Sequence, residues 1–460
     1  MKRNIYKNIS PLDHRYSQRK DDFEDYNQYF SEEAVVKYQA KVELALVKAL
    51  HGRGVCDQNV VQEVKEAVQK LQVENVYQEE KKTKHNIRAL ANCLRNRVSK
   101  ESRPYIHLSA TSYDIVDTAN SLRYKEATEN LIIPRLEKLL EQWLEIAEAQ
   151  KETLQIGRTH GQHAEPITFG LVMAYYSSRL WERIKVLKKA AARLKGKMSG
   201  AVGAYNASSI FFSDPDEFEK EMLAELDLKP AAVSTQIVPP EFMTDFMHSL
   251  NSIFGILADF SDDMRHLQRS EIREVGEYFG EDQVGSSTMP HKRNPINYEN
   301  VKSMWKEFMP RMMTIYQDQL SEHQRDLSNS ASSRFIGESA VGLLLCVDRL
   351  IRVSSRMHID EAEMKSNFDL TSDMTIAEPL YIILAAKGHP DAHEKVRQLT
   401  LEAEEKGCGL QELIPDDEEL TPYLQNLEPR QQEILSQPEK YTGIAAQKTE
   451  KIVEEIRQKL

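Results

Sequence analysis

Long hydrophobic runs are missing from this chain. The longest, around Gly342 to Val347, is far too short to cross a bilayer. The opening MKRNIYKN carries charge but no apolar stretch, so no secretory signal is expected. Cysteine is scarce: Cys56, Cys93, Cys346 and Cys408 lie far apart without CxxC spacing, which points to reduced thiols in a cytosolic protein. Neither HExxH nor a His/Cys cluster marks a metal site, and the expected metal and cofactor complement is none. Positive charge is outnumbered, with 60 Lys and Arg against 72 Asp and Glu and a net charge of −12. That balance argues against general binding to nucleic acid or anionic membranes. A small anionic substrate stays open, because local cations decide its binding. Strict alternation of Val, Ile and Thr is also rare, so no substantial sheet is expected. No internal repeat or low-complexity tract occurs.

What is present is helical periodicity over a chain of 460 residues, long enough for two or three domains. Residues 1–111 mix polar loops with short helical patterns, as in Glu32–Leu50 and Val60–Leu71. From there to 358 the pattern is one of long amphipathic helices. Leu136, Leu139, Leu140, Trp143 and Ala147 form one stripe. Met173, Ser177, Leu180, Ile184, Leu187, Ala191, Leu194 and Met198 alternate four and three, and so do Met243, Phe246, Leu250, Ile253, Leu257, Phe260, Met264 and Leu267. The run Ile336, Ala340, Leu343, Val347, Leu350, Ser354 and Met357 repeats the spacing. Such alternation keeps the apolar seam on one side of a helix, which is bundle packing. Residues 359–460 return to shorter elements, with Gly388 reading as a helix C-terminal glycine and a last helix over about Gly443–Gln458. The expectation is an all-α protein of three helical segments, 1–111, 112–358 and 359–460. Helices this long offer more apolar face than one chain covers, so association with further copies is expected.

The stretch Val284–Asn300, VGSSTMPHKRNPINYEN, breaks this pattern. Gly285, Pro290 and Pro295 prevent a continuous helix. Ser286, Ser287, Lys292, Arg293 and Asn294 gather hydroxyls, cations and an amide there. Asn294-Pro295 reads as an N-cap and first-turn proline, so a helix should start with its positive end toward the loop. That chemistry suits small carboxylates. Arg158-Thr-His-Gly-Gln162 reads as a motif just ahead of the Met173–Met198 helix. In a third cluster, Lys84-His-Asn-Ile and His107-Leu-Ser-Ala-Thr-Ser-Tyr-Asp114, Thr111 and Ser112 can cap a helix and cradle a carboxylate at once.

The loop from Gly285 to Asn294 resembles GSSxMPxKxN, the signature of the fumarase/aspartase superfamily, at every fixed position. RTHGQ and the following AEP resemble that superfamily's second motif. Ser10-Pro-Leu-Asp-His-Arg-Tyr16 resembles the opening of the adenylosuccinate lyase branch, as do Lys197–Gly203 (KMSGAVG), Thr235-Gln236-Ile, and His323-Gln-Arg-Asp-Leu327 with Ser330 and Arg334. The resemblance covers nearly the whole chain. It implies a β-elimination that releases fumarate from adenylosuccinate, giving AMP, and from the succinylaminoimidazole-carboxamide ribotide of purine synthesis.

In those terms His160 is the general acid and Ser286 the base. Lys292 stabilises the serine alkoxide and the dianionic intermediate, Asn294 binds a carboxylate oxygen, and Glu299 supports His160. Arg15 and Tyr16 would face the nucleotide phosphate. His85, Asn86, His107, Thr111, Ser112, Gln236, Ser287, Met289, Arg325, Ser330 and Arg334 would line the substrate site. Asn86 departs from the family's usual aspartate after the histidine. His163 lacks motif support and reads as structural. The resemblance further implies a homotetramer whose pockets draw on three subunits; the loop, whose sequence avoids regular structure, is expected to close over substrate. Argininosuccinate lyase, carboxymuconate cycloisomerase and a catalytically silent helical scaffold are the competing readings. The second generally lacks the His160 equivalent, and the silent scaffold would not need His160, Ser286, Lys292 and Asn294 together.

Overall fold

The computed structural model describes residues 8–17, 20–280, 288–289 and 291–460, with the backbone alone for 20–22. Among the described residues the chain is all-α apart from three two-stranded ribbons. It groups into two compact units. The first comprises Met1–Leu136, Glu182–Leu257 and Ser303–Asp348; the second comprises Glu137–Trp181, Ala258–Lys302 and Arg349–Leu460. Among the described residues no helix is long and apolar enough to cross a membrane.

In the first unit, helix Lys20–Phe30 is followed by helices Glu32–Gly52, Gln58–Gln69, Val73–Thr83, Asn86–Arg95 and Ser112–Ala127. Ser31 starts Glu32–Gly52 by accepting the Ala34 N–H at 3.1 Å, with Glu32 and Glu33 in the first turn. Val42, Leu46 and Leu50 on its inner face are fully buried with Ile87, Leu90, Leu94 and Ile115 of neighbouring helices. Burial of each such side chain contributes about 1.5–3 kcal/mol, which offsets the cost of ordering five short helices.

The apolar stripes read from the sequence are core. Leu136, Leu139, Leu140, Trp143, Met173, Leu180, Ile184, Leu187, Ile253, Leu257, Phe260, Met264, Ala340, Val347 and Leu350 are all at 0% exposure. In the second unit they close around aromatic rings: Trp143 lies 4.3 Å from Phe260, and Tyr176 meets Phe260 edge-on at 5.3 Å. The Trp143 indole N–H, otherwise stranded in an apolar core, donates to Ser354 Oγ at 3.1 Å. Ser354 therefore belongs in its stripe for a reason that hydrophobicity does not express.

One boundary differs from expectation. The Phe169–Ala192 helix stops short of Met198, and Lys195–Gly196 instead pairs in parallel with Lys229–Pro230. A side chain at Gly196 would meet Leu223 Cδ2 at 2.4 Å and Thr118 Cγ2 at 3.1 Å, so a larger residue here would force its neighbours to shift, where the helix-period pattern saw only a continuation. Further on, Gly388 (φ +92°) follows the Ala377–Ala386 helix as expected, and the last helix is Ala445–Arg457.

Candidate active site

Two groups of motif residues are built locally, one in each unit. In the first, two helix N-termini are bridged by one imidazole. His85 is the N-cap of Asn86–Arg95, and its Nδ1 accepts the Arg88 N–H at 3.3 Å. An acceptor Nδ1 leaves the proton of a neutral ring on Nε2, so Nε2–H donates to Ser112 Oγ, 3.3 Å away at the start of Ser112–Ala127. Asn86 turns inward on its own helix, its Oδ1 accepting the Ile87 N–H at 2.8 Å. His85, Asn86 and the neighbouring Lys84 remain exposed, and Lys84 takes the left-handed conformation (φ +53°).

Behind Ser112 lies a buried polar socket. The Asp114 carboxylate accepts the Thr111 N–H at 2.8 Å and the Gly200 N–H at 3.2 Å, and it pairs with the Lys197 ammonium. Asp114 and Lys197 are at 0% and 1% exposure. Lys197 also donates to the Gly200 carbonyl at 3.1 Å, while its own backbone is stapled to Thr118 Oγ1. Nearly every polar atom of the pair is satisfied, which is the condition for burying charge at tolerable cost. The socket thus fixes the Thr111-Ser112 turn against the KMSGAVG segment.

His107 (φ +62°) is gripped at two points by buried Glu43: its N–H donates at 3.0 Å and Nδ1 lies 2.7 Å from the second oxygen. Burial pulls this imidazole pKa down, but the hydrogen bond and charge of Glu43, with Asp114, outweigh it and leave the pKa raised. Gln236 lies beside the Arg325 segment, its N–H donating to the Gln324 carbonyl at 3.3 Å. Arg325 itself stacks on Tyr113 and donates to its hydroxyl at 2.9 Å. Arg15 and Tyr16 sit in a tight turn in which the Tyr16 N–H meets the Pro11 carbonyl at 3.1 Å. Ser330 and Arg334 are exposed on successive turns after Leu327.

In the second unit, His160 stands at the tip of a β-hairpin rather than directly before a helix. Strands β1 (Leu154–Thr159) and β2 (Gln162–Thr168) pair antiparallel with Thr159 opposite Gln162, leaving a two-residue turn. Both turn residues are left-handed, His160 at φ +55° and Gly161 at φ +75°, the conformation of a type I′ turn. Asparagine or glycine normally holds the first position, so an imidazole there is set against backbone preference.

The base of the hairpin is rigid. Buried Glu274 accepts Arg158 Nη2 at 2.6 Å, Gln155 Nε2 at 2.7 Å and Asn367 Nδ2 at 2.9 Å. His163, on the returning strand, is tied by Nδ1 to Thr371 Oγ1 at 2.9 Å. Its pKa is lowered by burial and then by the Arg158 charge, which fits a structural, neutral ring.

The loop residues Ser286 and Ser287 lie outside the described residues. Met289, Lys292 and Arg293 are exposed; the Lys292 N–H closes a turn onto the Met289 carbonyl at 3.0 Å. The helix after the loop is Ile296–Phe308, one residue later than an Asn294 cap requires: the Glu299 N–H bonds to the Pro295 carbonyl at 3.0 Å. Its first-turn donors do not face the loop unoccupied. Glu277 accepts the N–H groups of Asn297 and Tyr298 at 2.8 and 2.9 Å and the Asn297 amide at 2.6 Å. Burial raises the Glu277 pKa, against the lowering effect of these bonds. Glu299 is exposed, and among the described residues no hydrogen bond joins it to His160.

Sequence reasoning missed Glu43, Glu274 and Glu277. Each is an isolated acid within a helical or loop pattern, and its role comes from a partner far away in sequence. Lys197 was visible only as part of a motif; nothing in its neighbours signals burial.

Residues 14–309 match the family profile described as Lyase, and residues 321–433 match the profile described as Adenylosuccinate lyase C-terminal. The adenylosuccinate lyase of Pyrococcus abyssi is 35% identical over 454 residues, covering 97% of each chain. That of Pyrococcus horikoshii is 35% identical over 455 residues, covering 97% of this chain and 98% of its own. The fold is shared with the 3-carboxy-cis,cis-muconate lactonizing enzyme of Pseudomonas putida, with a TM-score of 0.81, 24% identity and coverage of 94% of this chain and 97% of that one. By profile, by identity and by length matched, the chain belongs to the adenylosuccinate lyase family.

Proposed function

We propose that this chain eliminates fumarate from adenylosuccinate, leaving AMP, and from the succinylaminoimidazole-carboxamide ribotide, as a C–N lyase of purine nucleotide synthesis. The observation that carries the reading is His160 itself: the family's expected acid occupies a turn position that disfavours it, on a hairpin anchored by Arg158 and Glu274. In the proposed reaction the Ser286 alkoxide takes the proton from the succinyl carbon beside one carboxylate. Electron density moves into that carboxylate as an aci-carboxylate. The C–N bond then breaks with its electron pair passing to nitrogen, and His160 protonates the nitrogen. Lys292 stabilises both the alkoxide and the dianion, and Asn294 holds a carboxylate oxygen. Glu299 supports the imidazole. Such proton transfer contributes roughly 10²–10⁴-fold to a rate.

The other motif residues are proposed to bind the nucleotide. Arg15, Tyr16, Arg325, Ser330 and Arg334 take the phosphate and its surroundings, where several guanidinium forks suit an anion-rich ligand. His85, Asn86, His107, Thr111, Ser112, Gln236, Ser287 and Met289 surround the succinyl arm and base. The open donors at the start of Ser112–Ala127 support this for the carboxylates. The three segments 1–111, 112–358 and 359–460 remain the proposed functional division. Its working place is proposed to be the cytosol; none of the four cysteines is in a disulfide.

The assembly is proposed to be a homotetramer with pockets shared between subunits. Met309, Met313, Tyr316 and Leu320 support it. They are 40–76% exposed in and beside the short helix Arg311–Gln317, apolar surface that a lone chain would leave in water. The deciding assay mixes the purified protein with adenylosuccinate and follows fumarate and AMP; no release from either nucleotide removes the proposal. Sedimentation tests the assembly. If His160→Ala and Ser286→Ala chains, each inactive alone, regain activity when co-assembled, the pockets are shared.

A further inference from the structure

Arg325 lines a cavity of about 140 Å³ in the first unit. Its guanidinium carbon sits 4.8 Å from the centre of the Tyr113 ring, and Nη2 donates to the Tyr113 hydroxyl at 2.9 Å. The Nε atom is buried and meets no protein acceptor. Two carboxylates share the cavity wall, Asp117 and Asp318. Both are held by other groups: Asp117 Oδ2 accepts the Val238 N–H at 2.9 Å, and Asp318 Oδ1 accepts the Ser332 hydroxyl at 2.7 Å. Among the described residues neither makes a hydrogen bond to Arg325. Both carboxylates feel the Arg325 charge, yet its buried Nε is left without a protein acceptor, an arrangement unlike an ordinary salt bridge, in which the carboxylate takes the donors.

We propose that Asp117 and Asp318 tune Arg325 as an oxyanion receptor, lowering its affinity for a phosphate- or sulfate-type group through charge alone. The proposal rests on the reading of Arg325 as a substrate-phosphate fork. It adds two positioning residues to that reading and makes substrate grip dependent on pH. Burial pushes the Asp117 carboxyl up to about 6; the Val238 N–H, Lys197 and Arg325 oppose this, and Asp114 adds to it. Burial also raises Asp318, against Ser332 and Arg325. As pH falls through about 6, Asp117 takes up a proton, the counter-charge drops and an anion on Arg325 binds more tightly. By linkage, the anion in turn favours uptake of that proton.

Sulfate is the probe, because it stays a dianion where phosphate titrates. The full chain is titrated with sodium sulfate at constant ionic strength between about pH 8 and about pH 5.5. Binding is read by calorimetry and, separately, as inhibition of fumarate release. The wild type should bind roughly 3- to 10-fold more tightly at the lower pH. Asp318→Asn should tighten binding at the higher pH by a similar factor, Asp117→Asn should flatten the pH dependence, and Arg325→Gln should abolish the response. Circular dichroism checks that each variant is folded. Wild-type behaviour of both aspartate variants at every pH overturns the inference, and so does sulfate binding that survives Arg325→Gln. If fumarate release is absent but the sulfate arms behave as described, the lyase reading fails and the tuning stands. Normal fumarate release with flat sulfate arms overturns the tuning and leaves the lyase reading intact.

Discussion

The helices Ser112–Ala127 and Ile296–Phe308 begin after similar sequences, a polar cap among hydroxyls or amides, yet their N-termini are put to different uses. At Ser112 the cap is internal: Asp114 takes the Thr111 N–H, and among the described residues no protein acceptor meets the N–H groups of Ser112 and Tyr113. At Ile296 the protein supplies its own carboxylate, Glu277, and the first-turn donors are consumed. One end can receive an anion and the other is stoppered. A helix N-terminus is therefore an anion site only when no acid of the chain reaches it first, and cap residues alone do not reveal this.

Four predictions bear on that contrast and on the His160 hairpin. The largest effect belongs to His160. His160→Asn should cut fumarate release by roughly 10²–10⁴-fold. The same change should leave thermal stability equal or higher, since asparagine prefers the left-handed position. A fall in both would mean that the imidazole is part of the structure.

Next is Glu274→Ala, which strands the guanidinium of Arg158. Breaking a buried pair from one side costs about 3–5 kcal/mol, read as a lower denaturant midpoint. Lost activity at temperatures where the protein is still folded would tie the hairpin's rigidity to its chemistry. Third, Glu277→Ala should unstopper the second helix at a cost of about 1–2 kcal/mol, the usual range for a lost cap. It should also gain weak sulfate protection there, whereas Asp114→Asn should give no such gain at the first.

The smallest effect is pH-dependent. The folded His107 pKa lies above its ordinary value because of Glu43 and Asp114. Its contribution to stability is therefore full below the unfolded value near 6.5 and is lost as pH rises through the folded one. Glu43→Gln should flatten that part of a stability-against-pH curve; an unchanged curve removes the assignment.

The helical architecture is legible because its period is local: Phe260 and Leu257 need only their own spacing to declare themselves core. The motif residues are legible through resemblance, and the structure adds the side chains that hold them. Two expectations fail for one reason. Periodicity extends the helix to Met198 and puts His160 just ahead of a helix. It cannot see the Leu223 and Thr118 side chains packed against Gly196, or a turn made by positive φ at a histidine. Glu43, Glu274 and Glu277 are invisible in sequence because an acid's role depends on what folds against it. Arg158–Glu274 joins residues more than a hundred positions apart.

The two-residue turn under His160 has no slack. Between that turn and the register shift at Ile156–Arg158 only Arg158 and Thr159 pair with β2, and removing one of them would swing the imidazole to the opposite face. Length changes that loops elsewhere on the surface absorb would here re-aim the ring by half a revolution. The hairpin should therefore drift in composition among descendants of this chain while its count of residues stays fixed.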